Sequence, residues 1–315
     1  MFTLVQKRRW YFLLSTLVIL PGLIAMIYST IEYGTPVRLG VDFESGSKFV
    51  LKLLGPAGED QVRSVFEANG LNNPNVTRLG NPADNTWQVR TKFVEADTAE
   101  AILNQLSEEV APVDKNASSV DSVSPAISQE VTRSATIAVI IAAVVILSFI
   151  VWAFRRVPRS FRYGVCAITA MVHDILVTMG IMSIMGIFFG WEADALFLTA
   201  MLTVIGFSVQ DTIVVFDRIR ENIPKRRGES FETIANRSLL ETIHRSLATQ
   251  LNAIFVMVAI LLFGGASIKQ FISILLIGLL SGTYSSIFNA VPLLVAWEEG
   301  DFRRWFRLGR RRATA

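Results

Sequence analysis

Apolar positions in this chain fall into long blocks, broken once by a stretch in which they alternate with polar ones. The first block, 10–28, runs for 19 residues without a charge, enough to cross about 30 Å of hydrocarbon as a helix. Lys7, Arg8 and Arg9 stand just before it. It is longer than the apolar core of a secretory signal and no small-residue cleavage pattern follows, so it reads as an uncleaved first span. Pro21-Gly22 predicts a kink that neighbouring helices would tolerate. Five more blocks, at 134–154, 163–189, 195–216, 246–263 and 271–297, complete six expected spans. The even number places both termini on one side of a membrane.

Between the first two blocks the period changes. In 47–54, Phe49, Leu51 and Leu53 alternate with Lys48, Val50 and Lys52, as in a strand with one drier face. Val62, Val65 and Phe66 share a helical face in 60–69, as do Ile102, Leu103, Leu106 and Val110 in 98–110. Short β-prone runs at 75–79 and 86–91 flank the turn-rich 80–85, and 117–123 offers a last strand. The order β-α-β-β-α-β predicts a ferredoxin-like module. It holds no paired carboxylates, nucleophile–base set or metal-ligand cluster, so a binding or lever role is expected of it. The expected fold is a membrane all-α six-helix bundle with an inserted extracytoplasmic α+β ferredoxin-like domain. Its divisions are a cytoplasmic N-terminus and first span (1–30), the extracytoplasmic domain (31–133), spans two to six (134–297) and a basic cytoplasmic tail (298–315).

Composition gives this picture an orientation. The 315 residues are 51% apolar and 18% charged, against about 25% charged in an average soluble domain. Disordered, collagen-like and disulfide-scaffold classes are excluded. The single cysteine, Cys166, cannot form an internal disulfide, and two histidines leave little room for a histidine-based metal site. Of 30 Lys and Arg residues, twenty precede the first span, lie between spans two and three or four and five, or fall in the tail. Nine lie in 31–133, and Lys269 is in the last hairpin. Short loops weigh most, so the basic face is cytoplasmic and 31–133 extracytoplasmic. The pI of 9.1 then reflects topology and anionic membrane lipid, with no need for nucleic acid.

Ionisable residues inside spans are costly and are candidate functional sites. Asp174 lies about 17 Å along its helix from Tyr163, near mid-bilayer and too deep to snorkel, with His173 beside it. Asp211 lies roughly 7 to 8 Å from the end of its span, and Ser208, at i−3, shares its face. Arg245 opens the fifth span from the same side, and Thr249 and Asn252 continue its face. Asp211 and Arg245 therefore lie at compatible depths, and a carboxylate that alternately meets an arginine and a proton is a plausible relay. Gly278 and Gly282 form a Gly-x-x-x-Gly that permits close helix packing.

These segments resemble the SecF family of bacterial protein-export subunits, relatives of the resistance-nodulation-division (RND) transporters. The most specific stretch runs from Gly206-Phe207-Ser208-Val209-Gln210-Asp211-Thr212-Ile213-Val214-Val215 through Asp217-Arg218-Ile219-Arg220-Glu221-Asn222. Gly40-Val41-Asp42-Phe43, His173-Asp174, Phe263-Gly264-Gly265 and Gly282-Thr283-Tyr284-Ser285-Ser286-Ile287 support it. The chain differs from the family pattern at Phe207 for Tyr, Gln210 for Asn, and Ser45 for Gly; Gln210 keeps an amide beside the acid.

The resemblance implies an RND-like half-bundle in the bacterial cell membrane, paired with SecD. It also implies proton-driven assistance to the Sec translocon channel as an unfolded preprotein emerges. Asp211 and Arg245 match positions implicated in ion coupling, and Asp174 matches a recurrent position. No cofactor or metal is implied beyond an H⁺ or Na⁺ gradient. The rival readings are a proton-driven exporter of small amphiphiles and a passive assembly subunit. An intramembrane hydrolase ranks last, because Gly-x-Gly-Asp and His-Glu-x-x-His are absent from the sequence, and no enzymatic activity is expected.

Overall fold

The computed structural model describes residues 3–301 except 80, 82–83 and 156–158. Gly80, Pro82 and Ala83 of the expected turn, Arg156, and the basic tail from 302 onward lie outside the described residues. In chain order the helices and strands are α1 (Arg8–Tyr33), α2 (Val41–Glu44), β1 (Gly46–Lys52), α3 (Glu59–Ala68), β2 (Asn75–Leu79), β3 (Thr86–Thr91) and α4 (Ala96–Glu109). After them come β4 (Ser119–Val123), α5 (Pro125–Phe154), α6 (Ser160–Phe189), α7 (Ala195–Lys225), α8 (Phe231–Phe263), α9 (Ala266–Ser285) and α10 (Val291–Glu298). Two compact units result, one formed by Leu39–Ile137 and the other by the segments on either side.

The smaller unit is held together by the alternation seen in β1. The sheet order is β2-β3-β1-β4 with every pair antiparallel. Phe49 pairs with Val89 and Leu51 with Trp87 across β1 and β3. Their inward side chains meet Val62, Val65 and Phe66 of α3 and Ile102 and Leu106 of α4 in one apolar cluster. Phe49 and Phe66 pack edge to face with ring centroids 5.0 Å apart. Fully burying a side chain such as Phe49 contributes about 1.5–3 kcal/mol. Ahead of β1, Ser45 has φ 62° and ψ 168°, a conformation that favours glycine. Gly46 follows at φ 121°, where a Cβ would sit 2.6 Å from the Thr91 carbonyl oxygen.

The larger unit carries six helices long and apolar enough to cross a membrane. About half of each span formed by α6, α7 and α9–α10 is buried inside the chain, against 17% for α1 and 13% for α5. The first three form the inner layer, and the apolar outer faces of α1 and α5 are left for lipid or another subunit. Helices run well beyond their apolar blocks, because backbone hydrogen bonding continues through polar residues. Thus α7 reaches Lys225 and α8 begins at Phe231, where the apolar pattern suggested 216 and 246. Asp194 and Ser230 cap these helices by accepting hydrogen bonds from the Phe197 and Thr233 amides.

The expected last span, 271–297, is not one regular helix. A π-helical turn, Ser286–Ala290, separates α9 from α10. Pro292, at the start of α10, lacks an amide proton and crowds the carbonyl one turn earlier, which accounts for the widening.

Ion pairs and hydrogen bonds at the two ends fix which helix ends lie together. Arg8 at the start of α1 donates to Asp301 and to Glu232 near the start of α8. Arg159 and Arg162 at the start of α6 pair with Glu298 at the end of α10. At the opposite end the Ala193 amide donates to the Arg38 carbonyl, and Gln270 to that of Glu192. The basic loops therefore share one end of the bundle.

Pro21 lies inside α1, which continues through it, and Gly22 faces Gly180 of α6. A Cβ on either glycine would come within 2.7 Å of the other's Cα. Gly180→Val should therefore force α1 from α6 and cost about 1–3 kcal/mol, read as a lower midpoint of detergent unfolding. Gly206→Ala, where a Cβ meets open space, should leave that midpoint unchanged.

Candidate functional site

Asp174 lies midway along α6 and is 0% exposed. Its Oδ2 accepts hydrogen bonds from Ser208 of α7 and Ser285 of α9, both at 2.6 Å. Its Oδ1 accepts from Ser281 of α9 at 2.7 Å, and His173 Nδ1 lies 3.0 Å from that same oxygen. A carboxylate offers about four acceptor positions, and here each has a partner. The glycines of α9 make this approach possible. At Gly278 a Cβ would collide with Val204 of α7, and at Gly282 it would lie 3.4 Å from the Ser208 Cα and 3.7 Å from Asp174 Oδ2. The π-helical turn follows directly after Ser285. The His173 ring is buried and stacks on Tyr284 at 6.0 Å, and Tyr284 donates to the Tyr11 carbonyl of α1. One carboxylate thus ties α6, α7 and α9, and its neighbours reach α1.

Asp211, one turn beyond Ser208 on α7, is 5% exposed. Its side-chain partner is Gln250 of α8, whose Nε2 donates to Oδ2 at 2.5 Å. This differs from the expected pairing with Arg245. Gln250 is five residues after Arg245, which turns the two about 140° apart around α8, so both cannot face Asp211. Arg245 is exposed and lines a cavity of about 290 Å³ with Val214, Asp217, Glu241 and Thr242. Among the described residues no hydrogen bond or ion pair joins it to Asp211. Thr249 and Asn252 lie on the exposed side with it, and Thr249 donates back to the Arg245 carbonyl.

Two further expectations change. Gln210 is exposed, a third of a turn from Asp211, so the amide beside the acid belongs to Gln250. Ser208 shares a face with Asp211 but spends its hydroxyl on Asp174. Gln250 and the paired serines Ser281 and Ser285 were missed as site residues. The available signal was polar spacing in apolar helices: Ser238, Thr242, Ser246 and Gln250 recur every four residues along α8, and all are buried. Among the described residues no group of three His, Cys, Asp or Glu side chains is placed to hold a metal ion.

Comparison with known proteins places these helices. The family description Protein export membrane protein SecD/SecF, C-terminal, matches residues 102–300. The protein translocase subunit SecF of Anaerolinea thermophila is 45% identical, with all of both chains covered. The protein translocase subunit SecDF of Bacillus subtilis is 31% identical over 95% of this chain and 38% of its own length. The crystal structure of SecDF, a translocon-associated membrane protein from Thermus thermophilus, superposes with a TM-score of 0.77 at 26% identity. It covers 95% of this chain, which spans 39% of that longer one. Full-length likeness to a SecF subunit, together with a family match that takes in Asp174 and Asp211, gives one conclusion: the chain belongs to the SecF family of Sec protein-export subunits.

Proposed function

We propose that this export subunit acts with a SecD subunit to draw on the proton motive force, completing preprotein passage through the Sec translocon channel. The observation that carries the reading is Asp211. It is an acid buried in a membrane helix with a single side-chain partner among the described residues, standing between the fully bonded Asp174 and a cavity lined by charged side chains. Asp211 binds and releases the proton. Arg245 supplies the counter-charge at the mouth of the path. Asp174 fixes the helices among which the ion moves, with His173 and Ser208 completing its set. Each charge crossing 100 mV releases about 2.3 kcal/mol, a sufficient scale for biasing a conformational step.

SecD as partner is supported by the SecDF relatives, in which a segment matching this chain is part of one longer polypeptide. The exposed apolar faces of α1 and α5 suit a helical partner or lipid. The unit Leu39–Ile137 is read as a ferredoxin-like, extracytoplasmic lever; its sheet order β2-β3-β1-β4 with two crossing helices supports that reading. An open groove of about 810 Å³ along β4, lined by Phe93, Leu103, Val120 and Ile127 among others, offers an emerging extended chain a sheet edge. Both termini and the basic loops are assigned to the cytoplasm.

Two outcomes follow. Cys166 is fully buried, so added cysteines report alone: Gly228→Cys should react with an impermeant thiol reagent in inverted vesicles, and Ser64→Cys in intact spheroplasts. The reverse pattern overturns the orientation. In inverted vesicles carrying the SecD partner, Asp211→Asn should abolish gradient-dependent late translocation of a model preprotein while leaving the ATP-driven stage intact. Late translocation at the wild-type rate would reject the coupling role.

A further inference from the structure

On the face of α8 that carries the Asp211 partner, two enclosed polar atoms have no hydrogen-bond partner among the described residues. Asp211 uses Oδ2 for Gln250. Gln250 is 3% exposed, and among the described residues its enclosed Oε1 has no hydrogen-bond partner. Ser246, one turn earlier on the same face, is 4% exposed, and its Oγ likewise has none. Enclosed polar atoms without partners are rare, because each costs about 1–3 kcal/mol. Neither lipid nor another subunit can reach atoms enclosed within this chain. Beyond Ser246 on that face is Thr242, which lines the cavity that Arg245 also borders.

We infer that Asp211, Gln250 and Ser246 bind one internal water, and that this water passes the proton of Asp211 along α8 to the cavity at Thr242. The inference rests on the proton-carrying role proposed for Asp211. A buried water needs 2–4 polar partners, and the three named side chains supply that number. In the step itself the O–H bond of protonated Asp211 breaks and its proton joins the water. The water gives a different proton to the next oxygen toward the cavity. One proton enters and one leaves, and neither Gln250 nor Ser246 keeps a charge. Gln250 also holds the carboxylate in place through Nε2, so it is a positioning residue, and Ser246 is the polar step between site and cavity.

The charged surroundings favour release in that direction. Asp217, Arg218 and Glu221 of α7 and Glu241 and Arg245 of α8 border the cavity. From α6, Asp174 and His173 face the other side of Ser208, and α9 contributes Tyr284 beyond them. Among the described residues none of these is bonded to Asp211, so the route runs through Gln250 and Ser246.

The test uses the full chain with its SecD partner in liposomes holding a pH-sensitive dye, under an imposed potassium diffusion potential. Ser246→Ala removes one hydroxyl and should slow proton uptake several-fold, and Ser246→Thr, which restores it, should return the rate. Gln250→Met should lose the flux. Detergent unfolding of Ser246→Ala should match the wild type, which separates a blocked path from a damaged fold. If Ser246→Ala and Gln250→Met both conduct at the wild-type rate while Asp211→Asn does not, the water route fails and the role of Asp211 stands. If Asp211→Asn also conducts normally, the underlying reading fails with it.

Discussion

Hydrocarbon offers no hydrogen bonds, so a carboxyl group inside a helix bundle must find its partners on other helices of the same protein. Asp174 meets that requirement in full, with serines of α7 and α9 on its oxygens and His173 beside them. Much of the membrane unit follows from this arrangement. The serines reach the acid because Gly278 and Gly282 let α9 lie against α7, and Gly22 and Gly180 let α1 lie against α6. The π-helical turn and Pro292 fall directly after the last of those serines. Removing any one donor would leave charge or polarity enclosed with nowhere to turn.

Asp211 obeys the same rule only in part, and the proposed coupling role rests on that difference. A fully bonded acid is a fastening, whereas one with a single amide partner and open acceptors beside it can exchange a proton without dismantling the bundle. The two acids are linked through one turn of α7, since Ser208 bonds the first and Asp211 stands three residues on. Under the proposed role, a response to ion binding at Asp211 would have a direct mechanical connection to the helix junction. The smaller unit is assembled by other means: the alternating face of β1 closes against α3 and α4 through apolar burial.

The sequence made six spans, the order of strands and helices, and the membrane acids Asp174 and Asp211 legible, because periodicity and charge in a greasy segment are local properties. Phe49, Leu51 and Leu53 alternate in the chain and face one core in the fold. Partners were harder to read. Arg245 looked right by depth, yet depth leaves rotation undetermined, and 140° around α8 separates its direction from that of Gln250 by about the helical period alone. Ser281 and Ser285 sit beside the glycines of the packing motif, and nothing local shows which helix they meet. The start of α8 was also placed short, since its polar-rich opening from Phe231 to Arg245 carries no unbroken apolar signal. The turn after Ser285 widens for a reason located at Pro292, and its effect on the backbone one turn back has no signature in hydropathy.

The central claim is that, of the two acids buried within the membrane helices, Asp211 exchanges the proton and Asp174 holds the helices. A pH-difference infrared spectrum of the complete two-subunit assembly in liposomes tests it most directly, since a protonated carboxyl shows its own carbonyl band. The band should vanish in Asp211→Asn and persist in Ser285→Ala, which loosens Asp174 without touching Asp211. A band that survives Asp211→Asn and is lost in Asp174→Asn would contradict the account.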